Sequence, residues 1–190
     1  MTDPTYKASL LKLLKELAYK KGNFKLSSGK ETEHYINCKP VTLSAIGLKI
    51  ASTMILENIP KDTVAVGGLT LGADPLVSGV ALSSYDFPWA ANLDGFIVRK
   101  QAKGYGTGAW IEGPILPQGS KVVVLEDVIT TGGSAIKAAT RLRDAGYTVD
   151  RVVAIVDRQV NNEAYDFFEQ EGLDSFSLYN LEDIADAKDE

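Results

Sequence analysis

From residue 64 onward, short apolar runs recur at 64–66, 96–98, 122–125, 151–156 and 176–178, each bounded by Gly, Pro, Asp or Asn. Several of the segments between them carry a helical period, notably 133–145 and 163–171. Strand and helix therefore alternate, which predicts an α/β domain with a mostly parallel central sheet flanked by helices and ligands at the carboxyl ends of the strands. Ahead of this region, Leu10, Leu11, Leu13, Leu14, Leu17 and Ala18 fall at helical spacing among lysines, predicting a helix over 6–19 that ends at Gly22. Residues 24–37 alternate loosely around Ser27-Ser28-Gly29, as two short strands or an ordered loop would, and a second helix is expected over 44–57. The acidic stretch 182–190 reads as a solvated helix end or frayed tail without a function. Repeats and linkers are absent, so residues 1–190 read as one domain.

Composition removes several classes of function. With 20 basic and 25 acidic residues the formal net charge is -5, which argues against a protein that coats nucleic acid or a membrane surface. Any phosphate site must be local. Cys38 is the only cysteine and His34 the only histidine, which leaves no internal disulfide, no thiolate metal cluster and little material for a Ser-His-Asp or multi-histidine site. No apolar run approaches the ~20 residues of a membrane span, and MTDPTYKASL lacks the apolar core of a signal peptide, so the cytoplasm is the expected location.

Residues 122–134 read VVVLEDVITTGGS: an apolar strand, two acids, then a hydroxyl- and glycine-rich turn into a helix. The turn can offer backbone N–H groups, the hydroxyls of Thr130, Thr131 and Ser134 and the positive end of a helix dipole to a phosphate. A carboxylate repels phosphate. Glu126 and Asp127 instead suit a vicinal diol or a hydrated divalent cation, so the pair of features describes a phosphorylated sugar. A Walker B strand is the obvious rival, but no G-x-x-x-x-G-K-[ST] occurs, and the turn lacks the G-x-G-x-x-G of a dinucleotide site. A phospho-accepting signalling domain would carry its acids on an early strand, and the bland reading is a helix N-cap. Two more segments weigh against blandness. VGGLTLGADP at 66–75 is another strand-to-helix turn, with Gly67, Gly68 and Gly72 as a possible second anion nest. FIVRKQAKGYGTGAWIEG at 96–113 delivers Arg99, Lys100 and Lys103 into a glycine-dense stretch, which predicts a cationic lid; an exposed hairpin is its plain alternative. Together the three suggest a sugar with phosphate at both ends.

The 122–134 stretch resembles the signature of the type I phosphoribosyltransferases. With FKLSSGKETEHYIN, GGLTLGADP, FIVRK-x-x-K and AIVDRQ, in order over residues 24–159, the set is most similar to the orotate-using branch of that family. The resemblance implies a hood over the base site from about residues 1–40, a flexible catalytic loop, and transfer of phosphoribose from 5-phosphoribosyl 1-pyrophosphate (PRPP) to orotate in pyrimidine biosynthesis. It implies that Glu126 and Asp127 hold the ribose hydroxyls while Val128, Ile129, Thr130, Thr131, Gly132, Gly133 and Ser134 wrap the 5-phosphate. Arg99, Lys100 and Lys103 would contact pyrophosphate, with Tyr105 beside them, and Lys103, Arg99 and Asp127 would be catalytic. Tyr35 and Ile36 would line the base pocket, Arg158 would face the orotate carboxylate, and Thr130 would touch both ligands. Mg2+ is implied, held mainly by substrate and water, and so is a homodimer whose loop reaches the neighbouring site. Two positions depart from the family pattern: Tyr105 stands where histidine is usual and Ser27 where many members have lysine, while Lys25 is left out of the site. A phosphoribosyltransferase for another base is opposed by Arg158. A PRPP-sensing regulator without turnover is kept open by Tyr105, although the chain shows neither a nucleic-acid-binding extension nor a basic face.

Overall fold

The chain opens with α1 (Pro4–Leu13), passes through a π-helical turn (Leu14–Ala18) and enters an antiparallel pair, β1 (Tyr19–Lys25) and β2 (Glu31–Ile36). A short helix, α2 (Lys39–Thr42), precedes α3 (Ala45–Leu56). Alternation then begins: β3 (Ala65–Leu69), α4 (Asp74–Ser84), β4 (Asp94–Val98), β5 (Ile111–Glu112), β6 (Val122–Ile129), α5 (Gly133–Asp144), β7 (Arg151–Asp157), α6 (Glu163–Gln170), β8 (Asp174–Asn180) and α7 (Leu181–Ala185). The structure, a computed structural model, describes residues 4–25, 31–90, 92–102, 109–159 and 162–187.

The main sheet has six strands in the order β5-β4-β3-β6-β7-β8, parallel except for β5. Its runs are continuously apolar rather than alternating because both faces are covered. Leu10, Leu14, Ile55 and Leu76 from α1, its π turn, α3 and α4 pack on one face, and Ala138, Leu142 and Phe168 from α5 and α6 on the other. The mostly parallel α/β architecture expected from the sequence is the one observed. From β3 the sheet grows one way to β4 and β5; from β6 it grows the other way to β7 and β8. The carboxyl ends of β3 and β6 therefore flank a topological switch point, where such sheets bind ligands.

Three expectations are refined. The first helix stops at Ala18 and not at Gly22, which lies inside β1 where the pairing register with β2 shifts between Lys21 and Phe24. Glycine marks a bulge there, and Phe24 folds over it to meet Tyr35 with ring centroids 5.3 Å apart. Residues 24–37 take the two-strand option. Gly67 and Gly68 belong to β3, where they pair with Phe96 and Ile97, so they lie in the sheet rather than in an anion nest. The helix expected over 44–57 is α3, with Ser44 Oγ accepting from Gly47 N at 3.1 Å.

Candidate active site

β6 carries Glu126 and Asp127 toward the switch point, and the turn after it begins α5 on Gly132, a residue without a side chain to cap the helix. Gly132 is left-handed (φ 74°), and a Cβ there would lie 2.9 Å from the Phe168 ring. Glu126 and Val128 through Ser134 line a small depression of about 30 Å³ at this end of the helix. An uncapped helix start leaves its first N–H groups free for an anion.

Glu126 is buried. Its Oε1 accepts from Asp127 N at 3.3 Å, while Oε2 has no partner among the described residues. Burial first, and the neighbouring Asp127 charge second, push this carboxyl well above its ordinary range, with the Lys100 charge opposing them. Asp127 is better held: its Oδ1 accepts from Val128 N at 3.0 Å and its Oδ2 lies 3.7 Å from Lys39 Nζ. Gly72, in the turn after β3, presses on the same carboxylate, since a Cβ at that position would come within 2.5 Å of Oδ1. Below, Cys38 Sγ donates to Asp127 O at 3.8 Å, its thiol pushed up by burial.

Beside the acids opens a cleft of about 370 Å³, lined by Lys25, Tyr35, Ile36, Asn37, Lys39, Asp127, Val128, Thr130 and Arg158. That volume lies within the ~300–1,000 Å³ of small-molecule sites. Arg158 follows β7; its N–H donates to Ile129 O at 2.9 Å and its Nη1 to His34 O at 3.4 Å. Burial lowers its pKa, yet a guanidinium stays charged. The turn that aims it is fixed by Asp157, which accepts from Gln159 N at 2.9 Å and from Tyr165 Oη, whose pKa is pushed up to about 12 by burial and by that contact.

The structure thus brings Tyr35, Ile36, Thr130 and Arg158 into one cleft and Glu126 with Val128–Ser134 into the adjoining depression. Arg99 directly follows β4, and its Nη1 lies 3.2 Å from Glu112 Oε1 rather than in either cavity. Lys103, Tyr105 and Ser27 lie outside the described residues. Lys25, left out on sequence grounds, lines the cleft. Asn37 and Lys39 escaped notice. The available signal was Pro40, a helix-start residue that places them at a strand-to-helix turn. Among the described residues no group of three or more His, Cys, Asp or Glu could hold a metal. The unpartnered Glu126 Oε2 and the Asp127 carboxylate nevertheless suit a divalent cation that keeps most of its oxygens from water and substrate.

No protein-family model matches the chain. The orotate phosphoribosyltransferase of Thermosynechococcus vestitus is 52% identical over 180 residues, covering 92% of this chain and 90% of that protein. Among solved structures, a phosphoribosyltransferase from Corynebacterium diphtheriae superposes with a TM-score of 0.80 at 38% identity over 95% of this chain and 99% of that one. The Mycobacterium tuberculosis orotate phosphoribosyltransferase in complex with PRPP superposes with a TM-score of 0.75 at 32% identity, again over 95% and 99%. With 52% identity spanning nearly the whole of both sequences, and a fold that superposes on a solved member over nearly the whole of both chains, the chain belongs to the orotate phosphoribosyltransferase family.

Proposed function

We propose that this protein transfers the phosphoribosyl group of PRPP to orotate, releasing pyrophosphate and forming orotidine 5-phosphate in de novo pyrimidine synthesis. The observation that carries this reading is that the two cavities adjoin, with Val128 and Thr130 in the lining of both. A ligand with its 5-phosphate at the start of α5 sets its ribose over Glu126 and Asp127 and its anomeric carbon toward the cleft. Among the described residues the charged lining of that cleft is Lys25, Lys39 and Arg158 against Asp127, an excess of positive charge that favours an anionic base over a neutral purine.

The reaction is a displacement at the anomeric carbon, in which a ring nitrogen of orotate attacks as pyrophosphate leaves. Orotate's acidic ring proton supplies a nucleophile without a strong enzyme base, which suits a chain with one histidine. Arg158 takes the orotate carboxylate, and Tyr35 and Ile36 cover the ring. Glu126 and Asp127 accept from the ribose hydroxyls and tolerate the electron-poor sugar of the transition state. Arg99, Lys100 and Lys103 meet the charge growing on pyrophosphate, with Tyr105 beside them. The divalent ion that PRPP-using enzymes generally need is assigned as Mg2+, which when bound would neutralise charge on the leaving group. Catalysis is then mainly positioning and electrostatics.

The β1–β2 pair serves as the hood within a single domain, and the working unit is a homodimer, supported by the exposed Leu43, Ile46, Leu82 and Tyr85 around α3 and α4. Among the described residues no helix is long and apolar enough to cross a membrane, and we place the protein in the cytoplasm. A sensing-only role gains nothing from relatives that are named as enzymes. The test follows orotate absorbance in the presence of PRPP and Mg2+, with adenine, hypoxanthine and uracil in parallel. Orotate-selective turnover is expected. PRPP binding without turnover on any base would overturn the enzyme reading.

A further inference from the structure

The chain leaves β4 at Arg99 and returns at Trp110 beside it: Arg99 N donates to Trp110 O at 2.9 Å, and Val98 pairs with Ile111. A side chain from a different element lies across both legs. Arg141, in the last turn of α5, donates through Nη1 to Arg99 O and through Nη2 to Lys100 O at 3.2 Å. The same guanidinium lies over the Trp110 ring, with Cζ 4.0 Å from its centroid. The fork thus takes two successive carbonyls of the outgoing leg while the plane takes the indole of the returning leg. α5 is also the helix whose first turn lines the phosphate depression, about 12 Å from Arg141 at the helical rise.

We propose that Arg141 is a positioning residue for the pyrophosphate half of the substrate. It fixes the backbone from which the Arg99 and Lys100 side chains emerge to the same rigid helix that holds the 5-phosphate, so one element sets the distance between the cations at the two ends of PRPP. The inference rests on the PRPP reading above. Arginine is needed because the role uses both a planar fork and a stacking face; lysine offers a point charge with neither. Arg141 touches no substrate in this arrangement. Its effect reaches PRPP through Arg99 and Lys100 and leaves the orotate side, formed by Tyr35 and Arg158, alone.

The test uses Arg141→Ala and Arg141→Lys in the full-length protein, each also in a Trp89→Phe background, which leaves Trp110 as the only tryptophan of the two. For Arg141→Ala the KM for PRPP should rise about tenfold or more, the loss expected for charge-assisted bonds. The KM for orotate should stay within about twofold and Tm within about 2 °C. Arg141→Lys should restore only part of the PRPP affinity. PRPP titrations read by Trp110 emission need no turnover and should shift to higher concentration by the same factor. An unchanged KM for PRPP would overturn the proposal, as would equal losses for both substrates with a matching fall in Tm. If the parent protein neither responds to PRPP nor turns it over, the enzyme reading fails first and takes this one with it.

Discussion

Glu126 is kept buried with one oxygen unpartnered, and its carboxyl is held above the ordinary range by burial and by Asp127. A group whose folded pKa exceeds its unfolded value binds more protons when folded. The unliganded protein therefore loses stability as pH rises from the ordinary carboxylate range through the raised value. Glu126→Gln removes that ionisation. In the absence of ligand its Tm should exceed that of the parent at pH 8 and match it at pH 4. A Tm difference independent of pH would refute this account, and kcat/KM should fall about tenfold or more, because the amide presents one acceptor where the carboxylate presents two. Gly72 tests the neighbouring acid. Its added Cβ would meet the far end of the Asp127 side chain, which can swing away, so Gly72→Ala should leave Tm nearly unchanged while activity drops through a raised KM for PRPP. A large fall in Tm with normal activity would mean that the backbone, and not the carboxylate, gives way.

Among the elements, the β1–β2 pair brings Lys25, Tyr35 and Ile36 over the cleft, and Tyr19 Oη and His34 Nδ1 hydrogen bond at 2.8 Å across it. With Ser27 where lysine is common in the family, Lys25 is a cation that the described part of this hood brings to the cleft. Lys25→Ala should raise the KM for orotate about fivefold to tenfold, the scale of one partly exposed charge contact, and leave the KM for PRPP unchanged. A PRPP-specific loss would place Lys25 on the other substrate. Sequence legibility differed between elements for physical reasons. β3, β6 and β7 were readable because burial on both faces demands unbroken apolar runs, and VVVLEDVITTGGS was readable because a strand-end acid pair beside a phosphate turn is a chemical contradiction that few ligands resolve. The end of α1 was misread because Gly22 signals a helix stop and a strand bulge equally well. For Lys39 only its place at a turn was legible, from Pro40; its role depends on Asp127, 88 positions further along, and arises only when α2 is set beside β6. Arg141 is a helix-end arginine like any other until the fold lays it against Arg99, Lys100 and Trp110.

For the whole molecule, the question is what covers the corner where α3 begins and α4 ends. Lys49 on α3 pairs with Asp86, just beyond α4, at 2.6 Å, so these two helix ends lie side by side. Around them Leu43, Ile46, Leu82 and Tyr85 are 70%, 59%, 80% and 80% exposed. Four large apolar side chains at one corner are more than the scattered exposure that needs no explanation, and a second copy of the chain is the occupant we propose for it. Light scattering on a sizing column should give twice the chain mass for the parent protein. Leu82→Asp should shift it to one chain, because a two-fold interface repeats each substitution on both sides and sets the new charges against apolar surface. Leu82 is far exposed in the single chain, so its replacement should leave the fold's circular dichroism intact. Activity separates the corner from the catalytic loop: if residues of one chain complete the neighbour's site, the Leu82→Asp monomer loses turnover with its fold preserved. A monomeric parent, or a Leu82→Asp dimer, would remove this corner as the interface, and a fully active monomer would show that each chain closes its own site.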